Sequence, residues 1–117
     1  MTGRVEQGES FSAAVHREVF EELGIQVQMD FLIGTTHLYR GEAIPENEML
    51  GVQYCCSMDD SETIDQSAEH RWVAAEDIET LLPNTHWLAN VIHRAEIIRS
   101  LASSELLNCY ATNDFEV

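Results

Sequence analysis

At 117 residues the chain is long enough for one hydrophobic core and too short for two. Its 21 acidic residues against 6 basic ones, a formal net charge of −15, exclude a surface that attracts nucleic acid backbones or anionic membranes. Every basic residue is an arginine, which rules out a Walker-type phosphate loop and a Schiff-base lysine.

In chain order, Ser10 can cap a helix that runs to Leu23, and Gly24 supplies its left-handed stop. Ile25 to Met29 alternates apolar and polar residues, and Phe31 to Tyr39 is rich in β-branched and aromatic types, so both are predicted strands. Arg40 to Met49, with Gly41, Pro45 and three acids, reads as a long hairpin loop. Leu50, Val52, Tyr54, Cys56 and Met58 then recur at period two, the pattern of a half-buried strand.

Asp59 to Glu69 holds five acids and no aromatic residue and reads as a loop. A short strand is predicted at His70 to Val73, and a short helix at Ala75 to Leu82 that Pro83 ends. Thr85 opens a longer helix to about Leu101, along which Trp87, Leu88, Val91, Ile92, Ala95 and Ile98 form an apolar stripe that needs a sheet to cover it. Leu106 and Leu107 are the last apolar pair before a polar, acidic tail that suggests no role. No linker or repeat divides residues 1–117, which are expected to form a single domain. Cys55, Cys56 and Cys109 show no CxxC spacing and fit free thiols in a reducing cytoplasm. No apolar run approaches the roughly 20 residues of a membrane span.

The most informative stretch is Gly3 to Ile25, which fits without mismatch the pattern G-x5-E-x7-R-E-U-x-E-E-x-G-U, U being aliphatic. On a helix advancing about 100° per residue, Glu18, Glu21 and Glu22 fall within an arc of about 100° and face one place. Like charges at i,i+4, and carboxylates near a helix carboxyl terminus, are both unfavourable in a bare helix, so a cation is needed to make the arrangement favourable. Clustered hard oxygen ligands suit Mg2+ or Mn2+.

Gly3, Glu9, Arg17, Glu18, Val19, Glu21, Glu22, Gly24 and Ile25 together are the Nudix box, and the chain resembles the Nudix hydrolase family. The resemblance implies an α/β (α+β) fold, a mixed sheet sandwiched between helices, and metal-dependent cleavage of the diphosphate in nucleoside diphosphate derivatives. It implies Glu18, Glu21 and Glu22 as metal ligands, with the Gly3 carbonyl as a backbone ligand. Glu9 and Arg17 match a pair that braces loop against helix, and Arg4 stands where a basic residue often lies close to substrate. The carboxylate that accepts the proton of the attacking water can come from the helix or a later loop, which leaves Glu18, Glu48, Glu62 and Glu69 as candidates, Glu69 first among those in loops. Family domains usually carry strands before the box, so an amino-terminally shortened domain is expected, with an open sheet edge that would invite a second copy and a homodimer.

Other constellations carry less. Asp59 to Asp65 lacks the turn glycine and closing glutamate of a calcium loop, and the five histidines show no zinc spacing. Arg40, Pro45 and Tyr39 match neither the downstream proline of ADP-ribose hydrolases nor the tyrosine of dinucleoside polyphosphate hydrolases. The resemblance implies a nucleoside triphosphate or a nucleotide sugar as the substrate class. The alternative is a non-catalytic module that binds a nucleotide or a protein.

Overall fold

The computed structural model of the protein describes residues 1–83 and 85–109. Its elements are α1 (Phe11–Leu23), β1 (Gln28–Tyr39), β2 (Glu48–Ser57), α2 (Ile78–Leu81), α3 (Trp87–Leu101) and α4 (Ser104–Cys109), with short 3-10 turns at Pro45–Asn47 and Ala75–Asp77. The fold is mixed α and β, as expected, with one sheet of two antiparallel strands among the described residues. The acidic tail 110–117 and the Cys109 thiol lie outside the described residues and side chains.

Helix α1 begins where Ser10 accepts the Ala13 N–H on its hydroxyl at 3.1 Å, satisfying one of the first-turn donors. It ends at Gly24, whose φ of 70° is open to glycine at little cost and whose N–H reaches the Phe20 carbonyl. The same glycine admits the loop that follows β2. Asp65 donates its backbone N–H to the Leu23 carbonyl at 2.9 Å, and a Cβ on Gly24 would meet the Asp65 Cβ at 3.3 Å.

The two strands expected at 25–29 and 31–39 are one strand, β1, that begins at Gln28. Its pairing register with β2 slips between Met29 and Phe31 and again between Leu32 and Gly34, which bulges Asp30 and Ile33 out of the ladder. The first bulge frees the Asp30 carboxylate to accept from the Ser57 hydroxyl at 2.9 Å and from Arg99 Nη2 at 2.9 Å. Helix α3 therefore docks on the sheet through polar as well as apolar contacts. The Arg99 guanidinium lies over the fully buried Phe31 ring, 5.3 Å from its centroid, and also donates to Cys55 Sγ. Arg94 Nη1 lies against Gly34, where a Cβ would be only 2.6 Å away. Helices α3 and α4 both touch β1.

Three expectations are corrected. The segment 70–73 is not a strand, because neither free edge of the hairpin pairs with it, and Trp72 stands 73% exposed. Val52, Tyr54, Cys56 and Met58 are half buried as expected, but Leu50 of the same period-two set is 81% exposed. The α3 stripe is only half buried, and Trp87 remains 46% exposed. The fully buried apolar set is small: Ala14, Val19, Ile25, Met29 and Phe31. It lies in α1, in the turn after it and in the first residues of β1.

Candidate active site

The site begins in the extended loop before α1. Gly8, at φ 79°, turns the chain so that the Glu9 N–H reaches the Glu6 carbonyl, while Glu9 Oε1 accepts the Glu6 N–H at 3.2 Å. This places the Glu9 carboxylate beside Arg17. Arg17 Nε donates to Glu9 Oε2 at 2.7 Å and Nη2 to Glu9 Oε1 at 2.9 Å, the two-pronged geometry that a guanidinium makes with a carboxylate. Nη2 also donates to the Arg4 carbonyl at 2.7 Å, so a single side chain ties the loop to the helix twice.

The remaining edge of the same guanidinium faces the acidic arc. Arg17 Nη1 donates to Glu18 Oε1 at 2.8 Å and to Glu21 Oε2 at 3.2 Å, the latter across one turn at i,i+4. Part of the positive charge that relieves the carboxylate repulsion is thus supplied by Arg17 itself. With three carboxylates around it, the Arg17 guanidinium is held still more firmly protonated, first by Glu9 and then by Glu18. The Arg17 donors in turn hold the Glu9 carboxyl below its ordinary value.

Gly3 is packed against Glu18. A Cβ at Gly3 would fall 2.2 Å from both Cγ and Cδ of Glu18 and 2.6 Å from its Oε1, a space that only glycine leaves. The Arg4 backbone N–H adds a 3.3 Å bond to the same oxygen. The Arg4 side chain is exposed and makes no hydrogen bond or ion pair among the described residues, which leaves its charge available to an anion. Glu18 and Glu21 are brought together through Arg17. Glu22 is exposed near the end of α1, and among the described residues no three His, Cys, Asp or Glu side chains are gathered closely enough to hold a metal ion without their side chains turning toward it. In chemistry the set fits a hard cation: carboxylate oxygens and the backbone carbonyl of Gly3 lie in a loop and helix already locked to each other.

The loop candidates are dispersed. Glu48, the first residue of β2, accepts from His37 Nε2 at 2.7 Å at the loop end of the hairpin. Glu69 is exposed in coil, and the strand whose mouth it was expected to mark does not form. Glu62 is half buried and lines an open groove of about 490 Å3 with Cys56, Met58, Asp59, Asp60 and Trp72. The Asp59 carboxyl is held below its ordinary value by hydrogen bonds from Ser61, and the Asp65 carboxyl by hydrogen bonds from Ser67. Burial, then the neighbouring Cys55 and Asp30, push the Cys56 thiol up to about 11, so it stays protonated at neutral pH and does not act as a thiolate ligand.

Sequence reasoning missed one contact of the site helix. Half-buried His16 faces the Ser12 carbonyl with Nδ1 at 3.0 Å and the Val27 carbonyl with Nε2 at 2.9 Å. It occupies a position that the box leaves free, so the motif gives no signal for it.

A family model described as NUDIX domain matches residues 1–95. No curated protein matches the chain. The chain belongs to the Nudix family, whose hydrolases use divalent metal ions and bind nucleotide substrates. No helix among the described residues is long and apolar enough to cross a membrane.

Proposed function

We propose that residues 1–117 form a single Nudix domain that hydrolyses the diphosphate linkage of a nucleoside diphosphate derivative, a nucleoside triphosphate or a nucleotide sugar. The observation that carries the proposal is the Arg17 fork, which holds Glu9, the Arg4 carbonyl, Glu18 and Glu21 in one network. Glu18, Glu21, Glu22 and the Gly3 carbonyl would hold Mg2+ or Mn2+. When bound, such an ion supplies neutralisation of phosphate oxygens and acidification of water.

The chain's own groups do the rest. Arg17 keeps the loop and helix in register, so that Glu18 and Gly3 face the substrate together. Arg4, with its unpaired guanidinium, binds a phosphate oxygen of the substrate. A carboxylate takes the proton of the attacking water. Glu18 and three loop acids can fill that role, and Glu69 is the loop residue assigned to it, in a loop that Asp65 docks on the end of α1. No covalent intermediate on the protein is required.

The reading extends to a cytoplasmic protein that takes small nucleotides and no nucleic acid polymer. The −15 charge supports the second point. The sheet of two strands among the described residues, with Leu50 bare, leaves an open edge that could pair with a second copy in a homodimer. The same bareness, and the lack of a three-ligand cluster among the described residues, favour a second reading, a binding module without turnover.

Release of phosphate or nucleoside monophosphate from a panel of nucleotides with Mg2+ tests the proposal, with Glu21→Gln as control. Turnover lost in the variant supports hydrolysis. Saturable nucleotide binding without turnover in the unmodified chain supports the second reading.

A further inference from the structure

The acidic arc of α1 can point at a substrate only if the helix is fixed in roll about its own axis, and the structure shows what fixes it. At about 100° per residue, His16 lies roughly 200° around the helix from Glu18, 140° from Glu21 and 240° from Glu22, opposite the middle of the carboxylate arc. From that back face its Nε2 reaches the Val27 carbonyl at 2.9 Å, just before β1 begins, while Nδ1 faces the Ser12 carbonyl one turn earlier in α1. Carbonyl oxygens only accept, so the tautomer with hydrogen on Nε2 makes the bond across to Val27. The ring is half buried and rigid, with two torsions to hold.

Leverage makes this contact matter to the front face. At a helix radius with side chains of roughly 5–6 Å, a roll of about 10° moves a carboxylate by about 1 Å. A displacement of that size is on the order of a hundredfold in rate where groups must meet a substrate in line. The other bond tying α1 to the later chain, Asp65 N–H to the Leu23 carbonyl, sits at the helix end close to its axis and resists roll poorly. The Arg17 network joins α1 to its own preceding loop, which would turn with it.

We propose that His16 is a positioning residue for the metal site, keying the roll of α1 to the strand entry at Val27 and so setting where Glu18, Glu21 and Glu22 point. The inference rests on the metal-binding reading of α1. Calorimetric Mg2+ titration and steady-state turnover on three variants test it: His16→Leu, which keeps bulk and loses the donor; His16→Gln, whose amide can replace the Nε2 donor; and Ile98→Ala on α3, which lowers stability away from α1.

His16→Leu is expected to weaken Mg2+ binding by about tenfold or more, as loss of a group orienting a metal ligand does, and to lower kcat with KM little changed. His16→Gln should recover most of both, and Ile98→Ala should lower Tm with Mg2+ affinity unchanged. Native affinity in His16→Leu overturns the inference, as does His16→Gln failing as badly as leucine, or Ile98→Ala losing affinity in step with Tm. An unmodified chain that takes up neither Mg2+ nor Mn2+ overturns the functional reading and this inference with it, whereas native binding in His16→Leu overturns this inference alone.

Discussion

Gly3→Ala separates the geometry of the site from the stability of the fold. The added Cβ would lie 2.2 Å from Cγ and Cδ of Glu18, whereas ordinary contact begins at 3.4 Å, so the glutamate must retreat by about 1 Å. It is a flexible side chain with 23% of its surface open, and Gly3 is not among the positive-φ glycines, so neither sterics nor backbone strain burdens the folded state heavily. A stability change within about 0.5 kcal/mol is expected, as for other exposed positions. Function is another matter. The retreat carries Glu18 Oε1 away from Arg17 Nη1 and from the Arg4 N–H, and 1 Å of misplacement is on the order of a hundredfold in rate. The assay is turnover on a nucleotide panel with Mg2+, beside a thermal melt of each protein. Full turnover in Gly3→Ala would refute the assignment of Glu18 to the site, and a Tm that falls with turnover would refute the claim that the glycine serves position rather than folding.

Arg17→Ala should lower both Tm and turnover, and Arg17→Lys should not restore either, because one ammonium cannot replace a fork that reaches Glu9, Glu18, Glu21 and the Arg4 carbonyl; thermal melts and rates check this. The depressed Glu9 carboxyl contributes stability that is fully present above its ordinary value of 4.5 and is lost as pH falls through the lower folded value. Melts across that range should therefore show an acid loss that Glu9→Gln removes. Glu21→Gln and Glu22→Gln should each weaken Mg2+ or Mn2+ binding in calorimetric titration, and affinity equal to the unmodified chain would sink the ligand assignment. Gly24→Ala should cost about 1–2 kcal/mol from the left-handed backbone alone, with more from the Asp65 Cβ at 3.3 Å, and a Tm lower by several degrees reads it out.

Which parts of the fold were legible follows from how local their causes are. The limits of α1 are set by Ser10 and Gly24 within a few residues of the helix, so both could be read directly. The union of two predicted strands into β1 could not be, since the Asp30 bulge is held by Ser57 and by Arg99, 69 residues away. The strand expected at 70–73 failed for the same reason. Its β-favouring residues have no partner edge, and a strand without a ladder is not stable by itself. Alternation along β2 marked a half-buried strand, as Val52, Tyr54 and Cys56 are, but not that cover stops short of Leu50 near the hairpin loop. Within the site, the box positions gave Glu9, Arg17, Glu18 and Glu21, whereas His16 escaped because its partner Val27 is chosen by the packing of α1 against the strand entry.

The site therefore divides into two layers that should respond differently to change. Contacts among Gly3, Arg4, Glu9, Arg17, Glu18 and Glu21 span at most 15 residues of chain, and Arg17 makes most of them. Closing so short a loop has a small entropic cost, so this layer can form with little help from the sheet. On the proposal above, the direction in which it faces is keyed by His16 on Val27, while Asp65 on Leu23 and Gly24 holds the helix end. On the proposed reading, a substitution in the first layer alters how phosphate oxygens are met. One in the second leaves those groups intact but turns them relative to β1 and to the groove beside Trp72. The five buried residues lie in α1, in the turn that follows it and in the start of β1, so apolar packing of Ala14 and Val19 acts beside His16 in holding the second layer.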